Sequence, residues 1–434
     1  MQDIVASTAS YEAWLAKQIP LIQEDVAIKH AKMAMDPFQF MRATFYRWCE
    51  LWPAVNPDLA GAKEVLGVGD LHVQNFGTWR DAEGRLVWGV NDFDEAAPCS
   101  FMVDLVRTAA SAQLAAEQDT LILLPLKEII DSLWTGYQKG LEMGGRPFVL
   151  DRRHPWLLAL AFNALKEPKV FWRRWMNMKT EPVPAHDTVP HEVQEYLLSD
   201  LPTRDEVVFR WQKRGAQPKG LGSLGHKRFF ALIDWKGGPL VREAKQSSFS
   251  GWLWAKNADS GQNQVLELIN RSIRSHDPYV RMENNWLIRP IAAHCGRIEL
   301  DEIDIDHPMA VRESEQAKLL RAMGSETANV HLGSVPAKEL AEAVKKLSVD
   351  ELRRGTKQML AAIKADFPVW RDAYIASTKA GKKLPETPGG EQNAGDTRTR
   401  GEGSHAKMLK KDLKQRPARN ASRSDAGAAQ RREG

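Results

Sequence analysis

Two short stretches crowd acids, an amide and an imidazole together. They are Val68-Gly69-Asp70-Leu71-His72-Val73-Gln74-Asn75 and Val90-Asn91-Asp92-Phe93-Asp94-Glu95-Ala96. The spacing from Asp70 to Asn75 suits phosphoryl transfer. A carboxylate orients the attacking hydroxyl and takes its proton, and an amide oxygen a few residues later holds a metal ion. Asp92 would bind the metal that bridges the nucleotide phosphates, brought near by a hairpin through "TWRDAEGRLVW". Either loop alone reads more readily as a polar turn, the commonest use of Gly-Asp and Asn-Asp, and only the two together, in this order and spacing, favour the chemistry. His72 with Asp70, Asp92 and Asp94 also suits a hydrolytic metal. That set has only one histidine and leaves the glycine loop described next without a role.

Gly220-Leu221-Gly222-Ser223-Leu224-Gly225 is a G-x-G-x-x-G sequence. In a dinucleotide fold it would open a helix, but "HKRFFALIDW", a "KGG" turn and "PLVREAK" follow, and these read as strand, hairpin and strand. The loop therefore joins two strands, where backbone N–H groups can cover phosphates. Lys245, on the second strand, is placed to reach the α- and β-phosphates. A carboxylate from the following helix should fix it: Glu267 in "VLELINRS" is the nearest, with Glu243 behind it.

The elements that must position these residues are mixed. Residues 1–60 read as a helical segment, 61–200 as a helical lobe carrying the Asp70 and Asp92 loops, and 201–300 as a β-rich lobe carrying the glycine loop. Helices over 301–377 complete the first lobe, and a disordered basic tail runs over 378–434. The 434 residues suffice for two or three packed units. Residues 396–434 hold eleven Lys and Arg against five Asp and Glu, leaving 49 against 51 elsewhere. The basicity belongs to the tail, which argues against nucleic-acid binding by the whole chain and leaves tail contact as a minor expectation. Three scattered cysteines, no basic-then-apolar start and no apolar stretch long enough to span a bilayer predict a cytoplasmic protein without a membrane span.

Protein kinases order these parts as glycine loop, lysine, catalytic loop and metal aspartate. Here the catalytic loop comes first, which predicts a circular permutation. "LLRAMGSETANVH", ending at His331, resembles the helix that precedes a GDLH-type loop in small-molecule kinases, yet it follows the glycine-loop lobe. "GDLHVQNFG", "NDFDEA", "VDLVRTAAS" and "GLGSLGHKRFF…EAK" together resemble the bacterial domain-of-unknown-function 2252 family over roughly residues 25 to 335. That family in turn resembles aminoglycoside phosphotransferases and the protein-kinase-like fold.

The resemblance implies an α+β, two-lobed, permuted kinase-like fold. It implies Asp70 as catalytic base and Asn75 and Asp92 as metal ligands. It further implies Gly220, Gly222, Ser223 and Gly225 as the phosphate loop and Lys245 as the phosphate lysine. Asp104 and Arg107 would pair and brace the catalytic loop. Two departures stand out: Asp94 replaces the glycine of D-F-G, and Val68 stands where phosphotransferases usually carry His. Asp94 or Glu95 would hold a second metal, meet a cationic acceptor or cap the next helix. The expected function is ATP- and Mg²⁺-dependent phosphoryl transfer to an unidentified small-molecule or protein acceptor. AMP transfer on the same cradle and a catalytically silent ATP-binding scaffold are the alternatives.

Overall fold

The computed structural model describes residues 2–119, 122–165, 167–179, 189–201, 206–211, 221–258, 260–303 and 308–380. Gly220 and the tail beyond residue 380 lie outside the described residues. The fold is mixed α+β, with ten strands in three antiparallel sheets and a majority of helix. The first sixty residues form helices, as their pattern predicts, starting with Ile4–Ala16 and ending with Phe45–Val55 and Pro57–Ala60.

Strands β1 (Glu64–Gly67), β2 (Phe76–Arg80), β3 (Leu86–Val90) and β4 (Ala97–Ser100) follow. β1 pairs with β4, from Glu64 opposite Ser100 to Gly67 opposite Ala97. β2 and β3 form the expected hairpin, with Phe76 opposite Val90, and the two-residue β5 (Phe148–Val149) lies along β3. Asp70 and Asn75 thus sit between β1 and β2, and Asp92 follows the end of β3.

β6 (Glu206–Trp211), β7 (Arg228–Trp235), β8 (Gly238–Gln246), β9 (Arg281–Glu283) and β10 (Trp286–Ile291) form the second large unit of β structure, in the order β6-β7-β8-β10-β9. Its β7–β8 turn is Lys236-Gly237, both residues with positive φ (48° and 84°), and Trp235 pairs with Gly238 across it. A two-residue turn of this kind follows the right-handed twist of the strands it joins. One face of the sheet buries Phe229, Ala231, Ile233, Ala244 and Ile288 against Val193 and Leu197 of helix His191–Leu198. The other face packs Leu232 and Val241 on Phe171 and Trp175 of helix Pro168–Lys179.

The largest core gathers around helices Met102–Gln118, Leu126–Glu142, Met309–His331 and Val349–Lys379. The middle two lie so close that a Cβ on Gly136 would collide with the Arg321 carbonyl oxygen, and one on Gly324 with that of Leu133. The helix expected to carry Glu267 is short, Val265–Arg271, and the last helix runs on to Lys379, two residues past the expected tail boundary. Strands β4 and β9 were not anticipated: Pro98 interrupts one, and the other is only three residues long.

Gly324→Ala should lower stability by about 1–3 kcal/mol in urea unfolding, because the backbones must part to admit a methyl group. Gly238→Ala, with open space around it, should change it by no more than a few tenths of a kcal/mol.

Candidate functional site

The Asp70 loop is held by its backbone. The N–H groups of Val68 and Gly69 donate to Asp104 Oδ2 and Oδ1 at 2.7 and 2.8 Å. Asp104, in the first turn of helix Met102–Gln118, has no solvent exposure. His331, also without exposure, meets Asp104 Oδ2 through Nε2 at 3.0 Å and the Tyr137 hydroxyl through Nδ1 at 2.9 Å. Gly69 has φ of +80°, and a Cβ there would lie 2.5 Å from the Glu95 carbonyl oxygen, so both backbone angle and space require glycine.

Arg107, one helical turn beyond Asp104, donates from Nε and Nη2 to Asp70 Oδ1 at 2.7 and 2.5 Å. Its guanidinium is fully buried between the rings of Phe45 (4.9 Å) and Trp48 (4.8 Å), and Nη2 also reaches the Met41 carbonyl. Asp104 and Arg107 therefore brace the loop as expected, but through separate contacts and not as a pair. Burial pushes the Asp70 carboxyl up against the pull of Arg107, leaving it at about 6. Asn75 donates its Nδ2 to the Asp70 carbonyl at 3.0 Å, which leaves its Oδ1 as the atom available to a cation.

The two blocks separated by some 150 residues of chain meet at one cavity. Asp70, Asn75, Asp92, Asp94, Gly222 and Ser223 line it, and a Cβ on Gly222 would lie 3.3 Å from Asp70 Oδ2. The loop is tied down on all sides. Lys29 Nζ donates to the Gly222 carbonyl at 3.1 Å, Ile22 N–H to the Gly225 carbonyl at 2.9 Å, and Arg228 Nη2 to Ser223 Oγ at 2.6 Å. Gly225, at φ +102°, makes the turn back into β7. The cavity encloses only about 40 Å³, room for a few waters.

Lys245, almost fully buried, donates to Asp92 Oδ1 at 3.4 Å and to Asp94 Oδ2. Burial raises the Asp92 carboxyl, but Lys245, Arg289, Arg228 and Arg297 outweigh it and hold it down at about 2. Asp94 moves the other way, raised by burial and by Asp92 beside it. Glu267 is not at the site: it lies on an exposed helix face, paired with Arg271 at 2.8 Å in an i,i+4 arrangement that points both into solvent. Asp92 and Asp94 take the partner role expected of it. Glu243, the second choice, is buried and clamped by Arg228 (3.1 Å) and Arg289 (2.5 Å). Glu95 accepts from Gly251 N–H at 2.7 Å, so it caps a short helix distant in sequence.

Two cations at the cavity were missed. Arg42 makes no ion pair among the described residues; its Nη1 reaches Gln39 at 3.4 Å and its buried Nε has no partner. Arg297 lines the same wall, close enough to lower Arg42, whose value burial has already depressed to about 10. Glu299 offsets both from a distance while accepting from Gln74 at 2.6 Å. Neither arginine sits in a motif, so nothing in the sequence marked them. His72 is buried beside these cations, which together with burial keep it well below the usual histidine range and so neutral. Its Nδ1 accepts from Gln74 N–H at 3.2 Å. Among the described residues no three His, Cys, Asp or Glu side chains converge as a metal site, which removes support from the hydrolytic-metal reading.

Residues 21–155 match the family described as an uncharacterized protein conserved in bacteria (DUF2252). The matched span holds the Asp70 and Asp92 loops and helix Met102–Gln118 and stops before the glycine loop, so it supports the family resemblance for the first block. No curated protein and no solved structure matches the chain. No helix among the described residues is long and apolar enough to cross a membrane.

Behind β3, the buried Glu326 accepts from Val90 N–H at 3.2 Å and from Asn329 Nδ2 at 2.8 Å. Burial raises its carboxyl to about 7 against the opposing pull of Arg274. A carboxyl raised on folding contributes stability that is full below its unfolded value, near 4.5, and is lost as pH rises through 7. The difference in melting temperature between wild type and Glu326→Gln should therefore favour wild type most near pH 5 and shrink toward pH 8. A constant difference across that range would show that Glu326 does not titrate there.

Proposed function

We propose that the chain is a phosphotransferase that moves the γ-phosphate of ATP to a hydroxyl acceptor. Its two kinase-like lobes would be joined in permuted order. The observation that carries this reading is the meeting of the Asp70–Asp94 block with the Gly222–Lys245 block around one cavity, with Gly222 over Asp70 and Lys245 on Asp92 and Asp94. A metal site or a polar turn alone would not require the second block.

Asp70 is the base. Arg107 occupies Oδ1 and leaves Oδ2 to take the acceptor's proton, and a value near 6 keeps the group ionised at neutral pH yet more basic than an exposed aspartate. Asn75 Oδ1, Asp92 and Asp94 fit a magnesium ion that takes its remaining ligands from phosphates, since two carboxylates and an amide oxygen fall short of a complete protein cage. When bound, Mg·ATP supplies the transferable phosphoryl group and the charge that neutralises it. Lys245, paired here with Asp92 and Asp94, would be the residue to meet the phosphate oxygens. Arg42 and Arg297, which lack ion pairs, supply further positive charge to the wall beside Asp70.

The cavity as it stands is far below the several hundred Å³ of a small-molecule pocket. Admitting a nucleotide would need residues 221–225 to lift from Asp70, with release of the hydrogen bonds from Lys29, Ile22 and Arg228 that pin them. These are few enough for binding energy to offset.

A non-hydrolysable ATP analogue with Mg²⁺ should raise the melting temperature, by an amount equivalent to about 2.7 kcal/mol at one hundred times its Kd. Asp92→Asn should remove the metal-dependent part, Lys245→Ala should weaken binding with or without metal, and Asp70→Asn should bind normally but lose ATP turnover. No stabilisation of wild type by the analogue under either condition would sink the reading.

A further inference from the structure

A second cavity lies apart from the Asp70 site, between helices Leu126–Glu142 and Met309–His331, and encloses about 300 Å³. Its walls are apolar: Gly136, Gly140, Met143, Phe148, Trp156 and Ala322. The two glycines allow the helices to meet backbone to backbone below it, so the space above is left for something other than their own side chains. Met143, the residue that follows helix Leu126–Glu142, is 44% exposed at its mouth.

The charged residues lining it are all cations: Lys139, Arg146, Lys318 and Arg321. No carboxylate lines it. The side chains of Arg146 and Arg321 have no ion pair among the described residues, and Lys318 rests over the Trp156 ring at 4.4 Å. Lys139 has an acidic neighbour, Glu142, at 3.7 Å on an exposed face. His154, packed 4.8 Å from Phe148, is lowered by burial and by Arg153 and Arg146, and so adds no charge of its own at neutral pH. An apolar chamber ringed by cations, of which Arg146, Lys318 and Arg321 have no ion pair among the described residues, repels a basic occupant.

We propose that this cavity is a binding site for an amphipathic monoanion, an apolar acid with a body of roughly ten carbons. The estimate follows from about 300 Å³ and the roughly 30 Å³ taken by a water- or methylene-sized group. The apolar body lies along Phe148, Trp156 and Ala322, and the carboxylate meets Arg146, Lys318 and Arg321 at the rim. Burial of the chain supplies most of the affinity, and the rim selects the sign of the head group. The inference is independent of the proposed phosphotransferase activity.

The test is calorimetric titration of the full chain with decanoate and, separately, with decylammonium, both below their micellar concentrations. Decanoate should bind saturably at one site and decylammonium should not. The exposed-residue variant Lys318→Glu/Arg321→Glu should weaken decanoate about tenfold or more at low ionic strength. Ala322→Phe, which fills the chamber without touching the charges, should abolish binding, with unchanged circular dichroism showing that it folds. Absence of saturable decanoate binding, equal binding of the two amphiphiles, or an unchanged Kd in both variants would overturn the proposal.

Discussion

A carboxylate sealed from solvent, Asp104, sets the position of everything at the candidate site. It accepts from two consecutive backbone N–H groups and from His331, so both oxygens are engaged and the turn at Val68-Gly69 has one geometry open to it. Buried N–H donors left without acceptors cost on the order of 1–3 kcal/mol each, which makes this turn a fixed point and not a mobile tip. From that point Asp70, Asn75 and the β2–β3 hairpin inherit their directions. His331 ends the long helix Met309–His331 and adds Tyr137 to the chain of contacts, so the turn is also tied to the largest core.

Charge around the cavity falls into two groups. Lys245 with Asp92 and Asp94, and Glu243 with Arg228 and Arg289, are paired sets, mostly buried. Ion pairs out of water recover little more than their desolvation, so such sets are poor sources of stability. They hold charge in place for exchange, since a new ligand has only to substitute for a partner already desolvated. Arg42 and Arg297 form the unpaired group on the Asp70 side. On the proposed reading, a polyanion carrying its own cation would engage both groups, its cation at the acids and its oxygens at the arginines and Lys245.

Short-range chemistry was legible in the sequence: the Asp70–Asn75 spacing, the β2–β3 hairpin, the Lys236-Gly237 turn and the placement of Lys245 on a strand after a glycine loop. These depend on local periodicity and on residues with strong backbone preferences. Glu267 was misjudged because a helix of seven residues gives too little pattern to tell its buried face from its exposed one. Arg42 and Arg297 were invisible for a different reason. Their importance comes from having no ion pair among the described residues, a property of the packed molecule that no spacing encodes. The apolar chamber likewise exists only because Gly136, Gly140 and Gly324 bring two helices together that are separated by over 160 residues of chain.

On the proposed reading, the contact between Arg107 and Asp70 is what would separate a working carboxylate from a structural one. A guanidinium that bridges both oxygens of a carboxylate forms two parallel bonds and leaves neither oxygen basic. Here Nε and Nη2 both address Oδ1, and Oδ2 faces Gly222 across the cavity. The faces of Phe45 and Trp48 and the Met41 carbonyl hold the guanidinium in this orientation, and its buried Nη1 has no hydrogen-bond partner among the described residues. Burial raises the Asp70 carboxyl, Arg107 limits the rise, and Asp92 and Arg42 pull in opposite directions, leaving the group at about 6. A carboxylate serving only to pair with Arg107 would gain from the bidentate arrangement; the one-oxygen grip suits a group whose second oxygen has another use.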